Sequence, residues 1–312
     1  MVRERTVLAL IGPTAVGKTE IAIEIARRLP VSLISLDSVM VYRDMDIGTA
    51  KPSPEILREY PHALVNIRDP SEVYSAADFV RDADREIHAA WADERIPLLV
   101  GGTMLYLRAF REGLARLPQA DEATRTRILS DAERLGWPAL HKRLTEVDPV
   151  AAAQIHPNNP QRLQRALEVW ELTGKPISHW WLEAGSVGAE QRLSCELREF
   201  AILPDDRSTL QRRIAERFEG MLQAGLKAEV EALRNRGDLH LGLPAIRAVG
   251  YRQVWEWMDG LLDEPSMKER GIAATRQLAK RQLTWLRSWP WVSAYFWGSA
   301  EALAREICLE IS

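Results

Sequence analysis

The chain has 312 residues, 46% of them hydrophobic and 27% charged, and a formal net charge of −3. That length can bury one large core and a smaller one, and a near-neutral body restricts any nucleic-acid site to a local basic patch. Cys195 and Cys308 form neither metal spacing nor a disulfide framework, and the apolar runs are strand-sized with no signal peptide or membrane span, so a cytoplasmic protein with no membrane partner is expected.

The first apolar run, Val7–Ile11, reads as a buried parallel strand. Gly12-Pro13-Thr14-Ala15-Val16-Gly17-Lys18-Thr19 follows and matches the phosphate-binding P-loop. Gly12 and Gly17 allow a tight turn whose backbone N–H groups converge, Lys18 adds a mobile positive charge, and the Thr19 hydroxyl can bind Mg²⁺. A helical pattern, Ile21-Ala22-Ile25-Ala26-Leu29, opens there and points its positive dipole end at the same anion. The motif leaves open whether a nucleotide or another diphosphate occupies the loop.

Val31–Leu36 is the second strand, and Asp37 stands at its end in DSVMVYRDMDIGTAKP. There Asp37 can ligate Mg²⁺, accept a proton or cap the next segment. Met45, Ile47, Gly48 and Thr49 read as an irregular loop without a packing role. Further strands are expected at Leu64–Ile67, Pro97–Val100 and Phe200–Leu203, with a helix from Tyr74 to Ala92. Gly101-Gly102-Thr103 ends the fourth strand without the acidic residue many P-loop NTPases carry there. The glycines imply close backbone approach, and Thr103 can offer its hydroxyl to the site, cap the next helix, or do both.

Alternating strands and helices predict an α/β fold, a P-loop NTPase-like doubly wound parallel sheet with its ligand at the C-terminal strand ends. Residues 1–120 form the first part of this core. Between 121 and 192 helical periodicity continues without strand signals, which predicts an all-helical insertion domain hinged at 114–121 and 184–191. Residues 193–312 complete the core and add C-terminal helices, with helical patterns at Asp205–Arg236 and Met267–Trp289. From Met267 to Arg287 six basic residues stand against Glu269 alone. Arg276, Lys280 and Arg287 share one helix face, which suits a phosphate backbone. Trp255, Trp257, Trp285, Trp289 and Trp291 read as packing residues, and spacing alone does not separate that role from stacking on bases. In the insertion, Asn158-Asn159-Pro160 starts a helix whose first turns carry Gln161, Arg162 and Arg165.

Taken together, GPTAVGKT, DSVMVYRDMDIGTAKP, PLLVGGTMLY, HPNNPQRLQRALEVWELTGKP, RIAERFEGML, LPAIRAVGYRQVW and ATRQLAKRQLTWLR resemble the tRNA dimethylallyltransferases of bacterial type, in family order over residues 7 to 290. Val16 stands where that family often has Ser, and Val39-Met40 replace its more usual pair. The resemblance implies transfer of a dimethylallyl group from dimethylallyl diphosphate to N6 of the adenine 3′ of the anticodon, in tRNAs reading codons that begin with U. It implies Asp37 as base, and Lys18, Arg217 and Thr103 at the diphosphate with Mg²⁺ on Thr19. It further implies that Asp37, Ser38, Val39, Met40 and Thr103 contact the adenine. The anticodon stem-loop would be held by Arg125, by Gln161, Arg162, Leu163, Gln164 and Arg165, and by Arg247, Ala248, Val249, Gly250, Tyr251 and Arg252. Lys280, Arg281, Gln282, Leu283, Thr284, Trp285, Leu286 and Arg287 would complete that surface. A monomer with no obligate protein partner is the default expectation.

Overall fold

A computed structural model describes residues 5–115, 117–183, 187–290 and 292–311. Arg116, residues 184–186 of the second expected hinge and Trp291 lie outside them. The chain divides into two compact units, 1–111 with 189–312, and 112–188.

The larger unit begins with β1 (Thr6–Ile11), α1 (Lys18–Ala26), β2 (Val31–Leu36), α2 (Pro54–Glu59), β3 (His62–Ala63), α3 (Ala76–Ala92), β4 (Ile96–Gly101) and α4 (Met104–Glu112). The smaller unit holds α5 (Glu122–Leu135), α6 (Trp137–Val147), α7 (Pro149–Gln154), α8 (Pro160–Thr173) and α9 (Ile177–Glu183). The larger unit resumes with α10 (Ala189–Leu193), β5 (Glu196–Leu203), α11 (Arg207–Gln223), α12 (Leu226–Asn235), α13 (Tyr251–Met258), α14 (Glu264–Arg287), β6 (Ser293–Phe296) and α15 (Ala300–Ile311).

All six strands are parallel, in the order β3-β2-β4-β1-β5-β6. Successive residues of β1 go to different cores: Val7, Ala9 and Ile11 to one, Leu8 and Leu10 to the other. Both faces are therefore buried, which is why β1 reads as an unbroken apolar run rather than an alternation. Central β1 runs between β4 and β5, with Ile11 level with Gly101 and Ala201. The loop after β1 thus emerges between two strand ends, where parallel sheets bind ligands.

The structure corrects three sequence readings. Leu64–Ile67 is no strand, because Leu64 and Asn66 adopt left-handed backbone with φ of 63° and 58°. The strand is His62–Ala63 just before them, and Leu64 is apolar because its side chain enters the core. Asp205–Arg236 is two helices, broken where Gly225 takes φ 108°. The loop at Met45–Thr49 does pack: Met45 is fully buried, and a Cβ on Gly48 would lie 2.4 Å from the Tyr251 ring. The edge strand β6 is additional to the five strands expected, being only four residues of mixed polarity.

The smaller unit has its own core, built on Ile128, Leu144, Leu163, Ala166 and Leu167. Asp121 caps α5 through Thr124 N–H, Asp148 caps α7, and Asn159 caps α8. These local bonds start each helix without help from elsewhere.

A candidate anion and acceptor cleft

The loop from Gly12 to Lys18 takes its shape from two left-handed residues, Ala15 (φ 67°) and Gly17 (φ 86°), and Gly17 leads directly into α1. Its amides therefore stand at a helix N-terminus. Gly12 lies against β5, since a Cβ there would meet the Ile202 carbonyl at 2.6 Å. On the other side stands Gln282 from α14, which is 8% exposed. Its Oε1 accepts the Thr14 N–H at 2.9 Å, and its Nε2 donates to the Gly102 carbonyl at 2.8 Å. One amide side chain therefore ties the glycine loop to the end of β4. A Cβ on Gly102 would lie 2.5 Å from that Nε2, which accounts for the second glycine, and one on Gly101 would strike Leu36 of β2.

These elements wall a cleft of about 940 Å³. Thr14, Ala15, Gly17, Lys18 and Thr19 face it from the loop, Asp37 to Met40 from the end of β2, and Gly101 to Thr103 from the end of β4. Arg217 enters from α11, Arg247, Ala248 and Val249 from the segment before α13, and Arg281, Gln282 and Trp285 from α14. Gly12 and Val16 shape the loop from behind, both buried. Pro13 also takes part from behind, its carbonyl accepting Lys18 Nζ at 2.7 Å.

The charges in the cleft sense one another. Burial lowers Lys18 to about 8, Arg217 adds repulsion, and Asp37 opposes both. Asp37 is pushed above its ordinary value by desolvation, against the pull of the Val39 and Met40 amides, Lys18 and Arg217. Its Oδ1 accepts Val39 N–H at 2.8 Å and Met40 N–H at 3.2 Å, so it does cap the segment after β2. Oδ2 accepts no hydrogen bond from the described residues. Arg217, lowered by burial, likewise has no hydrogen-bond or ion-pair partner among them. Nor does the Thr19 hydroxyl. Thr103 leaves its own helix uncapped by its side chain; Oγ1 accepts Ser38 N–H at 3.0 Å and approaches Ser38 Oγ at 3.3 Å. That bond joins the ends of β4 and β2 on either side of Asp37.

Several residues expected to touch RNA are packed inward: Leu163 and Tyr251 are fully buried, and Gly250 and Leu286 are largely so. Gln282 faces the glycine loop instead of the outer face of α14. Arg125 and Arg165 are engaged on buried Glu168, at 2.9 and 2.6 Å, which ordinary packing of the helical unit explains. Gln164 donates to the Arg125 carbonyl at 3.2 Å. Gln161 and Arg162 remain exposed in the helical unit, as do Arg276, Lys280, Arg281, Thr284 and Arg287 along α14. Leu283 is half-buried, and exposed Arg252 pairs with Glu256 at 2.7 Å.

Sequence reasoning missed Glu229. Its carboxylate accepts the N–H groups of Asp46, Ile47 and Gly48 at 2.9, 2.8 and 3.1 Å, and takes the Tyr251 hydroxyl at 2.5 Å. It thereby holds the loop that follows Asp37. A glutamate on an amphipathic helix carries no local sign of this role.

Fold and site together define an α/β protein with a cleft at the strand ends, lined by the glycine loop, Lys18 and Arg217, in which Asp37 Oδ2 accepts no hydrogen bond from the described residues. Residues 40–289 match the family described as IPP transferase. A tRNA dimethylallyltransferase of Alkalilimnicola ehrlichii is 57% identical over 289 residues, covering 93% of this chain and 90% of that one. The tRNA dimethylallyltransferase 2 of Hahella chejuensis is 55% identical over 300 residues, covering 92% and 90%. The solved tRNA isopentenylpyrophosphate transferase of Bacillus halodurans superposes with a TM-score of 0.71 at 36% identity, covering 99% of this chain and 96% of the other. The chain belongs to the IPP transferase family.

Proposed function

We propose that the protein transfers a dimethylallyl group from dimethylallyl diphosphate to N6 of the adenine 3′ of the anticodon in tRNA. The observation that carries this reading is the pairing, in one cleft, of Lys18 and the unpartnered Arg217 guanidinium with a carboxylate oxygen that accepts no hydrogen bond from the described residues. The glycine loop acts as a P-loop for a diphosphate, and the helical unit is an insertion that adds RNA contacts through Gln161 and Arg162.

The loop amides, Lys18 and Arg217 bind the diphosphate and stabilise the charge that grows on it as the allylic C–O bond breaks. The bond electrons leave with the diphosphate. An adenine amine is a poor nucleophile because its lone pair is delocalised into the ring. Asp37 Oδ2 takes the N6 proton as the new C–N bond forms, so Asp37 ends as the acid and the product is neutral at nitrogen. Desolvation makes Asp37 a stronger base than a surface aspartate, while its two amides, Lys18 and Arg217 pull the other way. Oδ1 keeps its two amides, which hold the carboxylate's plane still during transfer. An adenine in a stacked loop must leave the stack to reach Asp37. The exposed cations of α14 and Arg247 supply contacts to the RNA backbone.

Mg²⁺ at a phosphate site needs only one or two protein oxygens, the rest coming from phosphate and water. Among the described residues no three His, Cys, Asp or Glu cluster to cage a metal. The unpartnered Thr19 hydroxyl suits an ion that arrives with its diphosphate. When bound, that ion offsets charge on the leaving group.

The test is incubation with labelled dimethylallyl diphosphate, Mg²⁺ and unmodified tRNA, followed by digestion to nucleosides. Prenylated adenosine is expected; phosphate transfer from ATP without an RNA product would overturn the reading. Asp37→Asn keeps Oδ1 for its two amides and removes the base. Turnover should fall roughly 10²–10⁴-fold with tRNA affinity retained. A loss confined to tRNA binding would make Asp37 a recognition residue.

A further inference from the structure

Arg213 lies one helical turn before Arg217 on α11 and borders the same cleft. Its Nη1 is sealed from solvent with no hydrogen-bond partner, and among the described residues the guanidinium makes no hydrogen bond or ion pair at all. Buried donors are almost always satisfied, so the unbonded Nη1 calls for an absent acceptor. What does hold it is an aromatic face: the guanidinium carbon stands 3.8 Å from the centre of the Trp297 ring. Trp297 is itself placed by its backbone amide, which donates to the Leu203 carbonyl at 2.8 Å at the end of β5. Ile202, one residue earlier, is the residue Gly12 packs against. The stack therefore fixes a bare guanidinium beside the glycine loop. Trp297 lies beyond residues 40–289, the span that matches the family.

The neighbouring charges connect the two arginines. Asp37 and Lys18 both sense Arg217. Arg213 acts on Arg217. It therefore places a second guanidinium next to that of Arg217 along the same helix.

We propose that Arg213, stacked on Trp297, binds a phosphoryl group of the diphosphate beside the one Arg217 meets and so sets the site's preference for a diphosphate over a monophosphate. The assignment rests on the reading of the cleft as a diphosphate donor site. A planar fork suits two oxygens of one phosphoryl group. The aromatic face orients that fork without using its N–H groups as hydrogen-bond donors.

Calorimetric titration of the full chain with inorganic diphosphate and Mg²⁺, and competition with inorganic phosphate, tests this. Arg213→Met should weaken diphosphate binding roughly 10- to 100-fold and change phosphate binding less than about two-fold. Trp297→Leu, which leaves the guanidinium present but unstacked, should cost roughly 2- to 5-fold on diphosphate alone. Equal losses for both anions would make the pair merely structural, and unchanged diphosphate affinity in Arg213→Met would refute the assignment outright. Prenyl transfer by the unsubstituted protein is measured in parallel. Its absence overturns the functional reading, whereas transfer together with an indifferent Arg213→Met overturns this inference alone.

Discussion

Replacing Gln282 by Ala removes a side chain that links the glycine loop to the end of β4. Two backbone groups lose their partners: Thr14 N–H, bonded at 2.9 Å, and the Gly102 carbonyl, bonded at 2.8 Å. An orphaned buried polar group costs about 1–3 kcal/mol, which brackets the pair at roughly 2–6 kcal/mol. Gln282 borders the cleft, so water can follow the truncation and take up part of the loss. The expected cost is the lower end, about 2 kcal/mol. At roughly 2–4 °C per kcal/mol for a unit of this size, the thermal midpoint should drop by about 4–8 °C. Gln282→Glu separates geometry from charge. It keeps an oxygen for Thr14 N–H, but the second oxygen meets the Gly102 carbonyl and adds negative charge beside the loop. Diphosphate affinity by calorimetry should therefore fall further in Glu than in Ala. If both variants melt with the parent protein and bind diphosphate equally well, the amide is not what holds the loop.

Lys18 is lowered from 10.5 to about 8, so the folded protein gives up its proton before the unfolded chain does. Between those values the unfolded chain binds more protons, and the Lys18 contribution to stability rises with pH. Diphosphate affinity should do the reverse, weakening as pH climbs through about 8, and Lys18→Met should flatten that dependence; a flat profile in the parent protein contradicts it. Burial lifts Glu199 from 4.5 to about 7 even though Arg111 and Trp289 bond to it. The folded state then holds an extra proton across that window, and stability should fall as pH rises through it. Glu199→Gln should remove this slope from chemical denaturation measured between those pH values, and an unaltered slope would assign it to other groups. Lys280→Ala with Arg281→Ala should weaken tRNA binding and reduce its logarithmic salt slope by about two. An unchanged slope would mean that this face of α14 is only solvated.

What could be read from the chain is what neighbouring residues decide among themselves. The run before Gly12 announces a strand buried on both sides, because apolar residues without alternation suit no other position in a sheet. The glycine loop and the start of α1 are equally local, since Gly17 and Lys18 need only backbone freedom and the helix that follows. Asp37 is recognisable as a candidate from its position after β2, and its capping bonds reach only two and three residues ahead. Where the local signal misleads, the cause is also specific. Leu64 is apolar for the sake of the core while its backbone turns away from any strand, and Leu163, Tyr251 and Leu286 lie in segments that carry exposed cations although they themselves face inward.

The rest depended on tertiary structure because its partners are remote. Gln282 and Thr14 are 268 residues apart, and Glu229 and Gly48 are 181 apart. Neither glutamine nor glutamate has a local pattern that names such a partner. Sheet order, and with it the meeting of β1, β2 and β4 ends around one cleft, follows from burying both sheet faces at once. Likewise, which charges remain unpaired, Asp37 Oδ2 and the guanidinium of Arg217 in the cleft, or become spent, as Arg165 is on Glu168, is decided by packing. Sequence set the chemical groups and the local turns that present them; only the folded chain determined which of those groups kept a free bond to offer a ligand.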